Sequence, residues 1–212
     1  MASNVFGNPI TDDTLKAMPE YIGKVITATD RAHVALKMKN AENKDVNART
    51  FVENLKSRYG NGVSTLCLIY NATGGTLRFV GSHNWYGRIG ESPYPNQIAN
   101  GQWGAYLHVK TAVVASGSVA ACVYRGENAS GTGRDWMLAW YNPWNRLFNN
   151  NRVYTEIRAA RHYETDHWNY IYNILKNNGL SYSDTWGGCE SSVSSGSSTS
   201  PIFEGVMTLV GA

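Results

Sequence analysis

The chain has 212 residues, 42% hydrophobic and only 17% charged, a balance that buries one sizeable core and is the reverse of a disordered segment's. A net charge of +3 without any run of Lys or Arg excludes an electrostatically driven nucleic-acid binder. Cys67, Cys122 and Cys189 are an odd, widely spaced set that matches neither a zinc pattern nor a disulfide framework, so reduced thiols in the cytoplasm are expected.

The first 13 residues, MASNVFGNPITDD, show no basic leader, apolar core or small-residue cleavage site. No apolar run approaches the roughly 18–20 residues that span a bilayer. A cytoplasmic, or also nuclear, location is expected. Within 1–62, Thr11-Asp12-Asp13 opens a short helix that Pro19 halts. Thr29-Asp30 opens a second, with Ala32, Ala35 and Leu36 at helical spacing. Asp45 opens a third, on which Ala48, Phe51, Val52, Leu55 and Tyr59 line one face and Gly60 follows as a cap. This segment reads as a helical appendage packed on the following sheet, or, less simply, as a helix that detaches to lie on a membrane.

From Val63 the period changes to that of strands. Val63–Tyr70 and Thr76–Val80 flank the turn sequence Asn71-Ala-Thr-Gly-Gly and predict a hairpin. Further strands are predicted at Trp85–Ile89, Trp103–Lys110, Ser118–Arg125, Asp135–Tyr141, Val153–Arg158 and Ile202–Val210, which together suggest an antiparallel sandwich over 63–212. Trp168, Ile171, Tyr172 and Leu175 share one face of a helix with Thr165 as its cap and Gly179 beyond its end, and Tyr170 points elsewhere. The Ser-rich stretch 191–200 reads as a mobile loop.

Catalytic signatures are sparse. No phosphate-binding glycine loop and no nucleophile elbow is present, and the five histidines lack metal-ligand spacing. No metal or cofactor is expected. His162, Glu164, Asp166 and His167 gather beside Arg158 and Arg161. This is either an acid/base or metal cluster or, more simply, a solvated helix cap. Glu156 is the one acid internal to a predicted strand, functional or facing solvent.

The dense feature is aromatic. Between Trp136 and Tyr172 lie Trp140, Tyr141, Trp144, Phe148, Tyr154, Tyr163, Trp168 and Tyr170, of which about half are needed as core. Rings with polar tips suit surfaces apolar on one side and wet on the other, such as sugar faces and lipid headgroups. Tyr141, Pro143, Trp144 and Asn149 lie in or beside a loop, where binding explains rings better than packing does.

The segments 44–62 (KDVNARTFVENLKSRYGNG), 70–80 (YNATGGTLRFV), 100–109 (NGQWGAYLHV) and 168–177 (WNYIYNILKN) resemble those of the plant 23 kDa jasmonate-induced proteins over nearly the whole chain. That resemblance implies a stress- or hormone-induced plant protein. Residues 116–124, 137–157 and 168–173 also resemble, more faintly, the actinoporin and fungal fruit-body lectin group, a β-sandwich flanked by helices. In actinoporins the equivalent loop and tyrosine-rich helix hold a phosphocholine headgroup. The family's loop proline falls on Pro143, the next tyrosine on Trp144, a binding valine near Val119 and one helix tyrosine on Tyr172. Tyr141, Asn149, Arg152-Val153 and Ile171 stand where the family has serine, tyrosine, paired tryptophans and tyrosine.

The combined expectation is a mainly β, actinoporin-like antiparallel sandwich with an N-terminal helical segment. It would bind a carbohydrate or polar lipid headgroup, with peripheral membrane contact, through Val119, Tyr141, Pro143, Trp144, Asn149, His167, Tyr170 and Tyr172. The rivals are a pore-forming protein and an enzyme using the 158–168 cluster. The sequence carries no signal for oligomeric state.

Overall fold

The computed structural model describes residues 4–212; residues 1–3, part of the stretch read above for a leader, lie outside the described residues. In chain order the elements are β1 (Val5–Phe6), α1 (Asp12–Lys16), α2 (Ala28–Lys37), α3 (Lys44–Tyr59), β2 (Ser64–Ala72), β3 (Leu77–Tyr86), β4 (Arg88–Ile89) and β5 (Gln97–Ile98). They continue with β6 (Trp103–Val109), β7 (Ser118–Glu127), β8 (Gly133–Asn142), β9 (Arg152–Ala159), α4 (Trp168–Leu175), β10 (Ser181–Trp186), β11 (Cys189–Ser195) and β12 (Ile202–Leu209).

Two sheets face each other, one ordered β1-β6-β2-β12-β11-β10 with β4 also on β6, the other β5-β3-β7-β8-β9. Every pairing is antiparallel except β2 with β12. Three apolar layers follow. Between the sheets, Tyr106, Tyr124, Trp136, Trp140 and Phe203 are sealed with Ile69, Leu77 and Leu138. On the outer face of the first sheet, Leu66, Leu68, Trp103, Ala105 and Leu107 meet Leu15 of α1, Val34 and Ala35 of α2, and Ala48, Val52 and Leu55 of α3. On the outer face of the second, Val119, Ala121, Val123, Met137 and Ala139 meet Ile171 and Leu175 of α4. β2 is therefore buried on both faces, which is why its residues from Leu66 to Tyr70 run apolar without alternation.

Helix starts follow local chemistry. Thr27 and Asp30 form a reciprocal capping box, Asp30 N–H donating to Thr27 Oγ1 at 3.2 Å and Thr27 N–H to Asp30 Oδ2 at 2.8 Å, so α2 begins just ahead of the Thr29-Asp30 pair. Thr165 does not cap α4. Its hydroxyl donates to the His162 carbonyl, and Asp166 Oδ1 accepts from the Trp168 N–H at 3.1 Å.

Two expectations about strands are corrected. Residues 63–80 are not a hairpin, because β2 belongs to the first sheet and β3 to the second. The Asn71–Gly75 turn is a corner between layers. Asn71 Nδ2 donates to the Gly75 and Ile98 carbonyls, and a Cβ on Gly74 would stand 2.1 Å from the Ala28 carbonyl oxygen. The Ser-rich stretch is not a mobile loop up to Ser195. It is β11, paired on one side with β10 and on the other with β12. Cys189, Ser191 and Val193 point inward, and the buried Ser191 hydroxyl is satisfied by Thr155 Oγ1 at 2.8 Å. Small polar side chains are thus acceptable on the inner face, and only 196–200 remain as a surface turn.

A register shift in β3 positions the site. Leu77 and Phe79 point between the sheets, but the ladder to β7 slips between Phe79 and Gly81. One extra residue reverses the alternation. Asn84 then faces inward, its Oδ1 3.0 Å from His108 Nε2, while His83 and Trp85 face outward against α4.

Candidate functional site

α4 lies over the outer face of the second sheet, with Ile171 and Leu175 as buried anchors and Trp168 and Tyr172 half-buried at the edge of the same face. Trp168 stacks on His83, centroids 4.8 Å apart and planes at 7°, and meets Trp85 edge-on at 6.2 Å. Tyr172 packs on Trp85 at 5.5 Å and on Tyr141 at 6.2 Å. Burial, followed by the neighbouring hydroxyls of Tyr141 and Tyr86, raises the Tyr172 phenol above its ordinary value. Tyr172 of α4 thus has phenols from β3 and β8 beside it and an indole against its ring. The Trp85 Nε1–H is buried with no protein acceptor. Tyr86 was not singled out from the sequence. The signal was parity after the bulge, which no local pattern in β3 discloses.

Beyond this group the chain forms a protruding tip. Pro143 is buried, while Trp144 is 50% exposed with Lys110 Nζ 5.4 Å from its ring centroid. That contact sets the 143–150 loop against the 110–117 loop. The approach is close: a Cβ on Gly117 would stand 2.3 Å from the Asn142 carbonyl oxygen. Leu147 and Phe148 in one loop, and Val113 and Val114 in the other, are exposed.

The residues expected to form one site therefore divide. Tyr141, Tyr172 and Trp144 gather at this end. Val119 is sealed beneath α4, and Pro143 shapes the loop from inside. Asn149 spends its amide on the Asn145 carbonyl at 3.1 Å. Tyr170 is 58% exposed and lies towards Tyr154, away from Tyr172. His167 sits at the start of α4, stacked on His162 with centroids 4.0 Å apart.

Around His167 the polar network is structural in its connections. Glu156 is buried rather than facing solvent, and accepts from Tyr154 Oη and Tyr163 Oη at 2.9 Å each and from Arg158 at 2.7 Å. Asp135, also buried, takes a two-pronged Arg125 and the Arg161 N–H. Glu164 is exposed and only reaches Arg125. Burial first, then the neighbouring His167, lowers the His162 imidazole. Among the described residues no three His, Cys, Asp or Glu side chains are grouped to hold a metal ion. His108 with Ser118 at 2.8 Å and Asn84 at 3.0 Å imitates a hydrolytic triad, but Ser118 and His108 are fully buried, and burial brings the imidazole down to about 3. Other hollows include one of about 530 Å³ on the first sheet, on the outer face of β10–β12 and lined by serines and Glu204, and one of about 150 Å³ that borders the aromatic group at Trp168, beside Arg125. Neither offers a group of ring faces and exposed apolar side chains such as the tip has.

No helix among the described residues is long and apolar enough to cross a membrane. The chain is 47% identical over 209 residues to the 23 kDa jasmonate-induced protein of Hordeum vulgare, covering 97% of this chain and 98% of the relative. It is 34% identical over 109 residues to a jasmonate-induced protein homolog of Atriplex canescens, covering 51% of this chain and 58% of that relative. The crystal structure of the lipid binding protein Nakanori superposes with a TM-score of 0.88 at 32% identity, covering 96% of this chain and 98% of that one. The model of the Nakanori-like proteins matches residues 6–210, and the chain belongs to that family.

Proposed function

We propose that this protein binds a polar lipid headgroup at a membrane surface through Tyr86, Tyr141 and Tyr172, with Trp85 beneath them and Trp144 at the rim. The observation that carries this reading is that Tyr172 packs on both Trp85 and Tyr141, with the Tyr86 phenol beside it, at the end of the molecule where Trp144 is half exposed. Hydroxyl donors suit the phosphate and ester oxygens of a headgroup, while Tyr and Trp faces also attract a quaternary ammonium. The likeness to a lipid binding protein supports the same direction. The aromatic surface is open rather than a closed pocket, which fits a ligand presented by a bilayer.

Sugar binding is the second reading, favoured by the same ring faces. A pore is disfavoured by the packing of α1, α2 and α3, whose apolar residues are already spent on the first sheet. The test is sedimentation of the full chain with phosphatidylcholine vesicles beside a glycan array. Vesicle binding that Tyr172→Ala reduces about tenfold, with a silent array, supports the headgroup reading. Array binding without vesicle binding replaces it with the sugar reading, and dye release from vesicles restores the pore.

A further inference from the structure

The fold collects charge that the sequence scatters. The segments meeting at the tip and its flanks are 82–89, 110–118, 140–153, 168–182 and 192–203. None contains an Asp or Glu, and together they hold Arg88, Lys110, Arg146, Arg152 and Lys176. Five cations here against a net charge of +3 for the whole chain leave the remainder at −2, so the molecule is polarised towards this end. None of the five is in an ion pair among the described residues. Arg146 and Arg152 donate only to backbone carbonyls and the Asn151 amide oxygen, and Lys110 and Lys176 lie over the rings of Trp144 and Tyr172. At the centre of this charge stand Leu147 (87% exposed), Phe148 (84%) and a fully exposed Val113.

An apolar tip ringed by uncompensated cations matches a surface that is apolar within and anionic at its rim. We propose that this end docks on a bilayer bearing anionic phospholipid. Val113, Val114, Leu147 and Phe148 enter the acyl boundary, and Lys110, Arg146, Arg152 and Lys176 meet the phosphates. The proposal rests on the headgroup reading above and adds selection by lipid charge. A nucleic acid would satisfy the cations but would leave the apolar tip without a partner, so the bilayer is the occupant argued here.

Each basic residue near an anionic leaflet contributes about fivefold in partition, and the effect decays with added salt. Partition of the full chain is measured into phosphatidylcholine vesicles with and without phosphatidylserine, at low and high salt. The expected result is partition raised at least tenfold by phosphatidylserine and returned to the neutral value by salt. Lys110→Gln with Lys176→Gln lowers the phosphatidylserine gain by at least tenfold, with a smaller loss of partition into neutral vesicles, whose phosphates these lysines also meet. Arg49→Glu, on exposed α3 surface, changes neither by more than about twofold. Leu147→Asp with Phe148→Asp lowers partition into both, at an unaltered thermal midpoint because both side chains are exposed. Equal partition into neutral and anionic vesicles overturns the charge selection while leaving headgroup binding intact. Absence of binding to any vesicle overturns both, and binding to duplex DNA at equal affinity replaces the bilayer with a polyanion.

Discussion

His108 shows how far a single buried group ties this fold to pH. It is hydrogen-bonded to Ser118 and Asn84 between the sheets, and burial, with a smaller repulsion from Arg88, brings its imidazole down to about 3. The unfolded chain protonates at the ordinary histidine value near ~6.5 while the folded chain stays neutral. Above that pH the group costs nothing. As pH falls from there towards the folded value, the unfolded state alone gains a proton, so stability declines by up to about 1.4 kcal/mol per pH unit. Denaturation midpoints from pH 7 to 4 check this, and His108→Gln flattens the slope by that share. If the replacement leaves the slope unaltered, acid sensitivity lies elsewhere. Glu156 makes the complementary case. With three donors directed at one sealed carboxylate, Glu156→Ala leaves two phenols without their acceptor and Arg158 with only Asp184 and the Ile157 carbonyl, and costs about 3 kcal/mol. Chemical denaturation reads that loss, and a cost under ~1 kcal/mol means that water reaches the network.

At the scale of elements, local pattern was informative wherever one face is buried and silent where parity or pairing is set at a distance. The three N-terminal helices, the strands β6 to β9, β12 and the face of α4 all announce themselves through period and caps. The turn at Asn71–Gly75 has hairpin chemistry yet joins two sheets, the Asn71 amide giving one N–H to the Gly75 carbonyl within the turn and the other to the Ile98 carbonyl of β5. The site shows the same division. Tyr141, Trp144 and Tyr172 were readable as rings near a loop, but Trp85 joins them only through the slip before Gly81, and Tyr86 only through a second slip between Asn84 and Tyr86. β11 was missed because serine composition says loop, while its pairing on both edges says strand. That pairing has a consequence. Ser192→Pro removes a ladder donor in a strand flanked on both sides, so a loss of about 3 kcal/mol or more is expected, against little change for Ser192→Ala. Thermal melting of the pair checks it, and equal midpoints would return the stretch to a loop. α4 is anchored by Ile171 and Leu175 rather than by its exposed rings. Ile171→Ala should therefore cost about 2–4 kcal/mol, and Trp168→Ala less, because Trp168 is only half-buried.

For the whole molecule, the question is whether 1–62 is a detachable arm or part of the sandwich. Leu66, Leu68, Trp103, Ala105 and Leu107 form an apolar outer face that Leu15, Val34, Ala35, Ala48, Val52 and Leu55 cover. The joins are also polar. Lys44 is buried with its ammonium on Tyr70 Oη and the Gly101 carbonyl, Tyr70 Oη donates to the Ala35 carbonyl, and Trp103 Nε1 donates to the Lys39 carbonyl at 3.0 Å. β1 adds main-chain pairing to β6. Burial of Leu15, Val34, Val52 and Leu55 contributes about 1.5–3 kcal/mol each, so stripping these four costs about 6–12 kcal/mol, comparable with the roughly 5–15 kcal/mol by which domains are stable. A chain beginning at Val63 is accordingly expected to aggregate or to bind a hydrophobic dye without a cooperative melt, whereas the full chain melts in one transition. The same ledger says that docking by the cationic tip leaves the helices in place, at the far side of the first sheet from α4. Monomeric, cooperatively folded 63–212 in gel filtration and calorimetry would make the helices a separable arm and would return membrane insertion by that arm to consideration.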